Sequence, residues 1–366
     1  MLSWPQFPAG RELTPEAGTQ SAHYRLTDLA ARGGLPRGAV NALLLDAELV
    51  DYGWTVTWAG AGTTPDTDLP TLFDAAEGYV VFMHGWTGNR AIWEDLPARI
   101  VSASPKLIAL VVDHNGFGET AFVDPDPRFE KCNPAAAMQA AERWITLLGL
   151  RRAAGERQLK TINFVGHSMG GAALFFLDET QWRVGEQTRT ALAPALLLHD
   201  DLHRAFFDTL GLGIGLAGRI VGADLIEHRV KPWIFDVLLE GANPRVREAH
   251  AHIYNTTPHD VIAKTLGAMG LLRQHPTPRR WELMRVTLGN RDRLVGLVPM
   301  LALLDELQFD VDQLRVALGT HYLFSVNDAA AGPQANLART HAQNRALIIG
   351  DVLALHQLAM NQQRGI

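Results

Sequence analysis

Apolar runs and amphipathic segments alternate along most of the chain, and this alternation predicts its secondary structure. Residues 79–83, 107–112 and 162–165 are mostly apolar and rich in strand-forming side chains, which is typical of strands buried on both faces of a sheet. Between the last two runs, residues 133–150 begin with Asn and Pro, as many helices do, and continue with helical spacing. Strand, helix and strand in this order indicate βαβ units. We therefore predict an α/β fold with a mostly parallel central sheet flanked by helices.

Weaker strand patterns lie on either side of these runs. Residues 54–58 alternate between polar and apolar side chains, and residues 195–198, 285–288 and 312–318 form short segments with strand character. We predict each of these four segments as a strand. Residues 340–358 have helical spacing and are predicted as a closing helix.

Two parts of the chain do not show this alternation of strand and helix patterns. Residues 1 to about 35 are rich in Pro, Gly and polar side chains, which predicts an irregular lead-in. From residue 202 to residue 275 the strand pattern breaks and helical character dominates, which indicates a helical cap insertion. The predicted division is an N-terminal extension with early strands at 1–70, a core at 71–201 and 276–366, and a cap at 202–275.

Composition narrows the classes of function. Of the 366 residues, 47% are hydrophobic and 20% are charged, as in an ordinary globular protein, and the net charge of −6 argues against nucleic-acid binding. The single cysteine, Cys132, excludes an intramolecular disulfide and has no companions for a cysteine zinc site. No apolar run approaches the length of a membrane span, and the first residues lack a secretory leader pattern. We expect a cytoplasmic protein without a transmembrane segment, and homo-oligomer formation stays open.

The strand predicted at residues 162–165 leads directly into a serine flanked by glycines. Gly166, Ser168 and Gly170 have the G-x-S-x-G spacing, and a helix-forming segment follows them. In this arrangement the serine lies on a sharp, strained turn, and glycines two residues away on each side prevent steric clashes. The N-terminus of the following helix directs N–H groups and a partial positive charge towards a developing oxyanion. The pattern therefore predicts an exposed nucleophile.

Four further motifs follow predicted strands in a consistent order along the chain. They are H-G-W-x-G at residues 84–88, D-x-x-G-x-G-x-T at 113–120, G-x-x-D at 289–292 and G-x-H at 319–321. Together with the serine motif G-H-S-M-G-G they resemble the α/β-hydrolase superfamily. The resemblance covers roughly residues 75–200 and 280–360, and it implies an α/β-hydrolase fold whose catalytic residues follow the order Ser168, Asp292, His321.

The resemblance implies a role for each of these residues. Ser168 would be the nucleophile, His321 would accept its proton near neutral pH, and Asp292 would orient His321. The backbone N–H groups of Trp86 and Met169 would bind the oxyanion. The residues expected on the substrate side are His84, Gly85, His167, Phe206, Phe207 and Trp233, and His84 is also expected to brace residues 84–88, here called the oxyanion loop. Neither a metal nor a cofactor is expected.

Other interpretations of the polar residues stay open at this stage. Asp200 and Asp201 compete with Asp292, because some members of this fold place the acid after an earlier strand. Residues 199–203 carry two histidines at a helical i, i+4 spacing that could hold zinc, although the adjacent glutamate of zincins is missing. Residues 213–218 match G-x-G-x-x-G, but they follow a helical stretch rather than a strand, which disfavours dinucleotide binding.

These patterns favour a serine hydrolase that cleaves a carboxylic ester through an acyl-enzyme on Ser168. An apolar cap over the serine would gain affinity from apolar burial, so we expect a small hydrophobic ester with an acyl or aryl group as the substrate. The same three residues would also suit C–C bond hydrolysis, lactone opening or acyl transfer. A ligand-binding protein without catalysis is less favoured, because the three residues are all present. Serine at position 168, where an aspartate would be required, argues against haloalkane and epoxide hydrolysis.

Overall fold

The computed structural model describes most of the sheet and of the helices that flank it. The described residues are 18–60, 69–151, 160–196, 205, 208–214, 231–270, 272, 276, 280–326 and 333–366. Eight strands lie within them: β1 (Thr19–Arg25), β2 (Gly53–Ala59), β3 (Gly78–Met83), β4 (Leu107–Val112), β5 (Thr161–His167), β6 (Gln187–Leu192), β7 (Met284–Gly289) and β8 (Leu314–Ala317).

The eight described strands form one mostly parallel sheet. Their order is β1-β2-β4-β3-β5-β6-β7-β8, and from β4 to β8 every neighbouring pair is parallel. β2 is antiparallel to both of its neighbours, β1 and β4. Every residue of β3, β4 and β5 is buried, in agreement with the apolar runs that predicted these strands. Because parallel strands all end at the same edge, the loops after β3, β4, β5, β7 and β8 meet there.

Helices pack against this sheet in two groups. The C-terminal helix α11 contacts β5, β6 and α4, whereas α5 contacts α2 and α6. The described helices are α1 (Leu26–Ala31), α2 (Arg37–Ala47), α3 (Leu69–Ala75), α4 (Leu96–Ala103), α5 (Pro134–Leu147), α6 (Met169–Ala173), α7 (Lys231–Leu238), α8 (Pro244–Thr256), α9 (His259–Gly270), α10 (Leu297–Glu306) and α11 (Pro333–Arg364). The predicted helix at 133–150 is α5, with Asn133 accepting a hydrogen bond from the Ala136 N–H at its start.

Two sequence-based predictions of secondary structure are wrong. The strand after β5 is β6, and residues 195 and 196 of the predicted strand lie outside any strand, because Ala193 has a φ of +42° and the chain turns there. Residues 197 and 198 lie outside the described part of the chain. β6 reads Gln-Thr-Arg-Thr-Ala-Leu, and its sequence did not predict a buried strand because four of its six side chains are polar, although all six are buried. Arg189 pairs with Glu179, and Thr188 donates a hydrogen bond of 2.8 Å to Asn163 Oδ1. The lead-in is also not irregular throughout, since β1 and α1 lie within it.

The predicted cap is helical where the structure describes it. α7, α8 and α9 lie in this part of the chain, residues 208–214 are helical too, and no strand occurs among its described residues. α8 contacts the short 3-10 helix Arg90–Trp93 that follows the oxyanion loop. The division of the chain into extension, core and cap stays a prediction. Across the described residues of the whole chain, no helix combines enough length and apolar character to span a membrane.

One buried arginine joins the C-terminal helix to the loops near the sheet edge. Arg345 on α11 forms ion pairs with Glu94 (2.9 Å) and Asp95, and its Nε donates to the carbonyl of Phe324 at 3.2 Å. Glu94 also accepts a hydrogen bond from the side chain of Asn243, which caps the start of α8. Arg345 is only 6% exposed, so its ion pairs are largely shielded from water.

We expect Arg345→Met to destabilise the protein strongly. The change keeps much of the side-chain volume but removes the buried cation that faces two partly buried carboxylates, and it leaves the carbonyl of Phe324 without this donor. Breaking a buried ion pair of this kind typically costs about 3–5 kcal/mol. The measurement is the free energy of unfolding from urea titration at neutral pH. Arg339→Met on the exposed side of α11 is the matched control and should change it by less than about 0.5 kcal/mol. Equal effects of the two substitutions would contradict this account.

Candidate active site

The backbone turns sharply at Ser168, between β5 and α6. Ser168 has φ +53° and ψ −116°, a conformation that side-chain-bearing residues rarely adopt. A Cβ added at Gly166 would collide with the carbonyl of Gly170, and one added at Gly170 would collide with the carbonyl of Met83. The predicted strand, strained turn and helix are therefore present, and the two glycines are needed because backbones approach closely on both sides.

The loops after β7 and β8 lie against each other next to this turn. A Cβ at Gly289 would stand 2.6 Å from the carbonyl oxygen of Thr320, so only glycine permits the approach. The contact brings Asp292 and His321 together, and His321 Nδ1–H donates to Asp292 Oδ2 at 2.8 Å. The other carboxylate oxygen of Asp292 accepts hydrogen bonds from the backbone N–H groups of Leu294 (2.9 Å) and Val295 (3.1 Å).

Asp292 stays ionised in this setting. Burial alone would raise the pKa of its carboxyl group, but the facing His321 and the two backbone N–H donors lower the pKa below its usual value. With Nδ1 committed to Asp292, the other ring nitrogen of His321, Nε2, is buried and has no hydrogen-bond partner among the described residues. Ser168 and His321 are 2% and 1% exposed, so both side chains are shielded from bulk water, and the serine is not exposed as the G-x-S-x-G pattern predicted.

The oxyanion loop is braced by two stacked histidines. His84 Nδ1–H donates to the carbonyl of Gly85 at 2.8 Å, and His84 Nε2 accepts from the backbone N–H of His114 at 3.1 Å. His114 Nε2–H in turn donates to the carbonyl of His84, and the two rings are 4.2 Å apart. Both nitrogens of the His84 ring therefore have protein partners. This geometry favours the predicted bracing role of His84 over a polar contact with substrate.

The other predicted residues of the loop lie beside the serine. A Cβ added at Gly85 would stand 3.0 Å from Ser168 Cβ and 3.5 Å from its Oγ, so the bare glycine backbone faces the nucleophile. The Gly170 N–H donates to the carbonyl of His84 at 3.0 Å, which ties the loop to the start of α6. Within the described part of the chain, the backbone N–H groups of Trp86 and Met169 donate to no protein acceptor. Two donors therefore remain for a ligand.

His167, which precedes the serine, contacts the loop that carries His321. Its Nε2–H donates to the carbonyl of His321 at 3.1 Å, and its ring lies 4.8 Å from that of His321. The ring is completely buried, and burial lowers the pKa of His167 well below its usual value. His167 therefore supports the backbone of His321, whereas the predicted contact with substrate stays a prediction.

Sequence reasoning missed a set of cap residues that hold the oxyanion loop. Trp86 Nε1–H donates to Thr265 Oγ1 on α9 at 3.0 Å. The next residue, Thr87, bonds through Oγ1 to Nδ1 of His250 on α8 at 3.0 Å, and the other nitrogen of His250 bonds to the hydroxyl of Tyr322. A signal was present in α8, where a histidine interrupts a stripe of buried apolar residues at helical spacing: Val246, His250, Ile253 and Tyr254.

Several candidate residues lie outside the described part of the chain. These are Phe206 and Phe207, the rival acids Asp200 and Asp201, the two histidines within 199–203, and most of the glycine-rich segment 213–218. The backbone of Trp233 lies in α7, but its side chain is not described. Among the described residues, no group of three or more His, Cys, Asp or Glu side chains is arranged to hold a metal ion.

Comparison with solved structures identifies the fold. A hydrolase from Pseudomonas aeruginosa PA01 is similar to this chain with a TM-score of 0.52 and 14% identity, covering 83% of this chain and 94% of that one. A thermophilic esterase from Thermogutta terrifontis matches with a TM-score of 0.51 and 15% identity, over 84% and 95% of the two chains. A peroxisomal α/β-hydrolase from Saccharomyces cerevisiae matches with a TM-score of 0.51 and 12% identity, over 91% and 90%.

The protein therefore has the α/β-hydrolase fold, as the motifs predicted. At identities of 12–15% this likeness concerns the fold alone. No protein-family model matches the chain, and no curated protein sequence matches it. The roles assigned to Ser168, Asp292 and His321 remain predictions, supported by the geometry of the turn and of the Asp292–His321 pair.

The buried histidines make the stability of the fold depend on pH. Burial lowers the pKa of His84 and of His250 to about 3, and lowers the pKa of His114 and His167 well below the ordinary value of 6.5. As the pH falls below 6.5, the unfolded chain binds protons at these side chains and the folded chain does not. Stability is therefore complete above that pH and is lost below it, with a slope of up to about 1.4 kcal/mol per pH unit for each histidine.

We expect the free energy of unfolding to be nearly constant above pH 7.5 and to fall steadily from pH 6.5 towards pH 5. Urea titrations followed by tryptophan fluorescence at closely spaced pH values would measure the slope. An unchanged free energy of unfolding between pH 7.5 and pH 5 would show that these histidines are protonated in the folded state.

Proposed function

We propose that this protein is a serine hydrolase that cleaves a small hydrophobic carboxylic ester through an acyl-enzyme on Ser168. The observation that carries the proposal is the combination at one sheet edge of the strained Ser168 turn and the buried Asp292–His321 hydrogen bond of 2.8 Å. A histidine oriented by an ionised carboxylate, with Nε2 unpaired, is suited to take a proton from a serine hydroxyl.

The reaction follows from these positions. Ser168 Oγ attacks the ester carbonyl carbon, and its proton passes to Nε2 of His321 while Asp292 stabilises the imidazolium. The oxyanion of the tetrahedral intermediate accepts hydrogen bonds from the N–H groups of Trp86 and Met169. Collapse of this intermediate breaks the C–O bond to the alcohol, which leaves with the proton from His321. Water, deprotonated by His321, then attacks the acyl-serine, and a second collapse releases the acid and restores Ser168.

The two backbone donors would contribute a large share of the rate. Their N–H groups are fixed by a loop braced by His84 and His114, so they need no reorganisation when negative charge develops. Losing one such donor typically raises the barrier by about 3–4 kcal/mol. The closed site strengthens this effect, because few water molecules compete for the oxyanion.

An ester substrate is favoured by two further considerations. Solved structures that share the fold include esterases, such as the one from Thermogutta terrifontis. The apolar side chains that α8 and α9 bury, including Tyr254 and Ile262, would favour an acyl or aryl group over a charged one. Lactone opening, C–C bond hydrolysis and acyl transfer would use the same three residues. A panel of esters and lactones of graded acyl length would separate these reactions.

Ser168→Ala tests the nucleophile. We expect the substitution to reduce ester turnover by about 10⁴- to 10⁶-fold and to abolish labelling by a fluorophosphonate probe. Mass spectrometry of the labelled wild-type protein should place the adduct on the peptide that contains Ser168. The unfolding midpoint of the variant serves as the control for folding.

Turnover by Ser168→Ala within tenfold of wild type would refute the assignment of the nucleophile. A wild-type protein that hydrolyses no ester and resists the probe would instead point to a ligand-binding role on the same fold.

Asp292→Asn tests the acid. The amide would donate to His321 Nδ1 rather than accept from it, which stabilises the wrong tautomer. A change of this type typically lowers turnover by about 10⁴-fold. Asp200→Asn and Asp201→Asn are the matched controls and should retain most of the activity. If one of these controls loses activity while Asp292→Asn keeps it, the acid lies after β6 and not after β7.

A further inference from the structure

A chain of three buried polar side chains joins three separate parts of the site. Thr87 belongs to the oxyanion loop, His250 to α8, and Tyr322 follows His321 in the loop after β8. Nδ1 of His250 lies 3.0 Å from Thr87 Oγ1, and its Nε2 bonds to the hydroxyl of Tyr322. All three side chains are between 0% and 1% exposed, so solvent does not replace these hydrogen bonds.

The ring of His250 bonds to one hydroxyl group on each side. Nε2 bonds to the hydroxyl of Tyr322 and Nδ1 to the hydroxyl of Thr87, and a hydroxyl group can either donate or accept. Burial, reinforced by repulsion from His321, lowers the pKa of His250 to about 3, so the ring is neutral. His250 therefore works as a fixed connector with one donor and one acceptor.

A second helix of the predicted cap, α9, holds Trp86, which precedes Thr87 in the oxyanion loop. The indole N–H of Trp86 donates to Thr265 Oγ1 on α9 at 3.0 Å and lies 3.2 Å from the carbonyl of Ile262. Consecutive residues of the oxyanion loop are thus anchored to consecutive cap helices. Because the proposed oxyanion donor is the backbone N–H of Trp86, these anchors determine where that N–H is directed.

We propose that His250 is a positioning residue. Through its hydrogen bonds to Thr87 and Tyr322 it holds the oxyanion loop and the loop that carries His321 in a fixed position relative to each other. The inference rests on the proposed function, since it assigns His250 to the same reaction. His250 touches neither the serine nor the proposed oxyanion position, and it transfers no proton. Its effect is geometric, because it links the loop whose N–H groups would bind the oxyanion to the loop that carries His321, the proposed base.

Removal of the connector should therefore lower kcat more than it changes KM. A displacement of reacting groups by about 1 Å can lower a rate by about 10²-fold, so we expect Tyr322→Phe to reduce kcat by about 10- to 100-fold. KM should stay within about threefold, because the pocket for the hydrophobic group is unchanged. Phenylalanine keeps the ring and its packing and removes only the hydroxyl.

Tyr79→Phe is the matched control. Tyr79 is also a buried tyrosine, and its hydroxyl donates to the carbonyl of Phe73 at 2.9 Å. It lies near the start of β3, at the opposite end of the strand from the oxyanion loop. The control should lose similar stability but keep kcat and KM within about twofold of wild type.

A second pair of variants tests the other end of the connector. Thr87→Ala removes the hydroxyl that bonds to Nδ1 of His250, whereas Thr87→Ser retains a hydroxyl and should restore most of kcat. The double variant Thr87→Ala/Tyr322→Phe should be little worse than the more impaired single variant, because both changes interrupt one chain. Multiplicative effects in the double variant, or kcat of Tyr322→Phe within threefold of wild type, would overturn the role of His250 and leave the proposed function intact.

Proton NMR separates failure of this inference from failure of the proposed function. The Nδ1–H of His321, bonded to Asp292, should give a downfield resonance that shifts in Tyr322→Phe and not in Tyr79→Phe. This readout does not need an active enzyme. If the wild-type protein neither hydrolyses esters nor reacts with a fluorophosphonate, the proposed function fails, and the NMR shift still decides whether the two loops are coupled. An unchanged His321 resonance in Tyr322→Phe would overturn the inference.

Discussion

The backbone turn at Ser168 lies against the ends of two neighbouring strands, and the rest of the site is placed relative to it. Its N–H donates to the carbonyl of Leu192 at the end of β6, and its carbonyl accepts from Ala195. On the other side, Gly170 donates to the carbonyl of His84 after β3. The approach of Gly170 to the carbonyl of His84, and of Gly166 to the carbonyl of Gly170, is possible only because neither glycine carries a Cβ. The strained φ of the serine is thus maintained by the sheet around it.

Neutral buried histidines are the second recurring feature of this site. His84, His114, His167 and His250 are all buried, and in each case burial lowers the pKa. Each neutral ring can provide one donor and one acceptor at fixed positions, which suits the linking of loops at a sheet edge. His321 differs from the other four because its donor faces an ionised carboxylate. A charge that develops on His321 therefore has a hydrogen-bonded carboxylate as its partner, whereas the ring nitrogens of the other four bond to no carboxylate among the described residues.

Two helices of the segment predicted as a cap, α8 and α9, form polar contacts with the oxyanion loop. Through His250 and Thr265, helices α8 and α9 form hydrogen bonds with the side chains of Thr87 and Trp86 in the oxyanion loop. A cap that only excluded water would not need these polar contacts, which would be costly to bury without partners. These contacts join α8 and α9 to the loop whose backbone N–H groups we propose as the oxyanion donors, so substitutions of His250 or Thr265 would change how that loop is held.

The sequence by itself determined the inner strands, the serine turn and the order of the three proposed catalytic residues. Apolar runs identify strands buried on both faces, and the glycine spacing around Ser168 leaves little conformational choice. Only the tertiary structure decided the position of β6, in which Arg189 and Thr188 find their partners, Glu179 and Asn163, elsewhere in the chain. The same holds for the connector, since 163 residues separate Thr87 from His250. A local sequence pattern indicates which residues can be buried. It does not identify the partner of a buried polar group, because that partner lies far away along the chain and meets the group only in the folded structure.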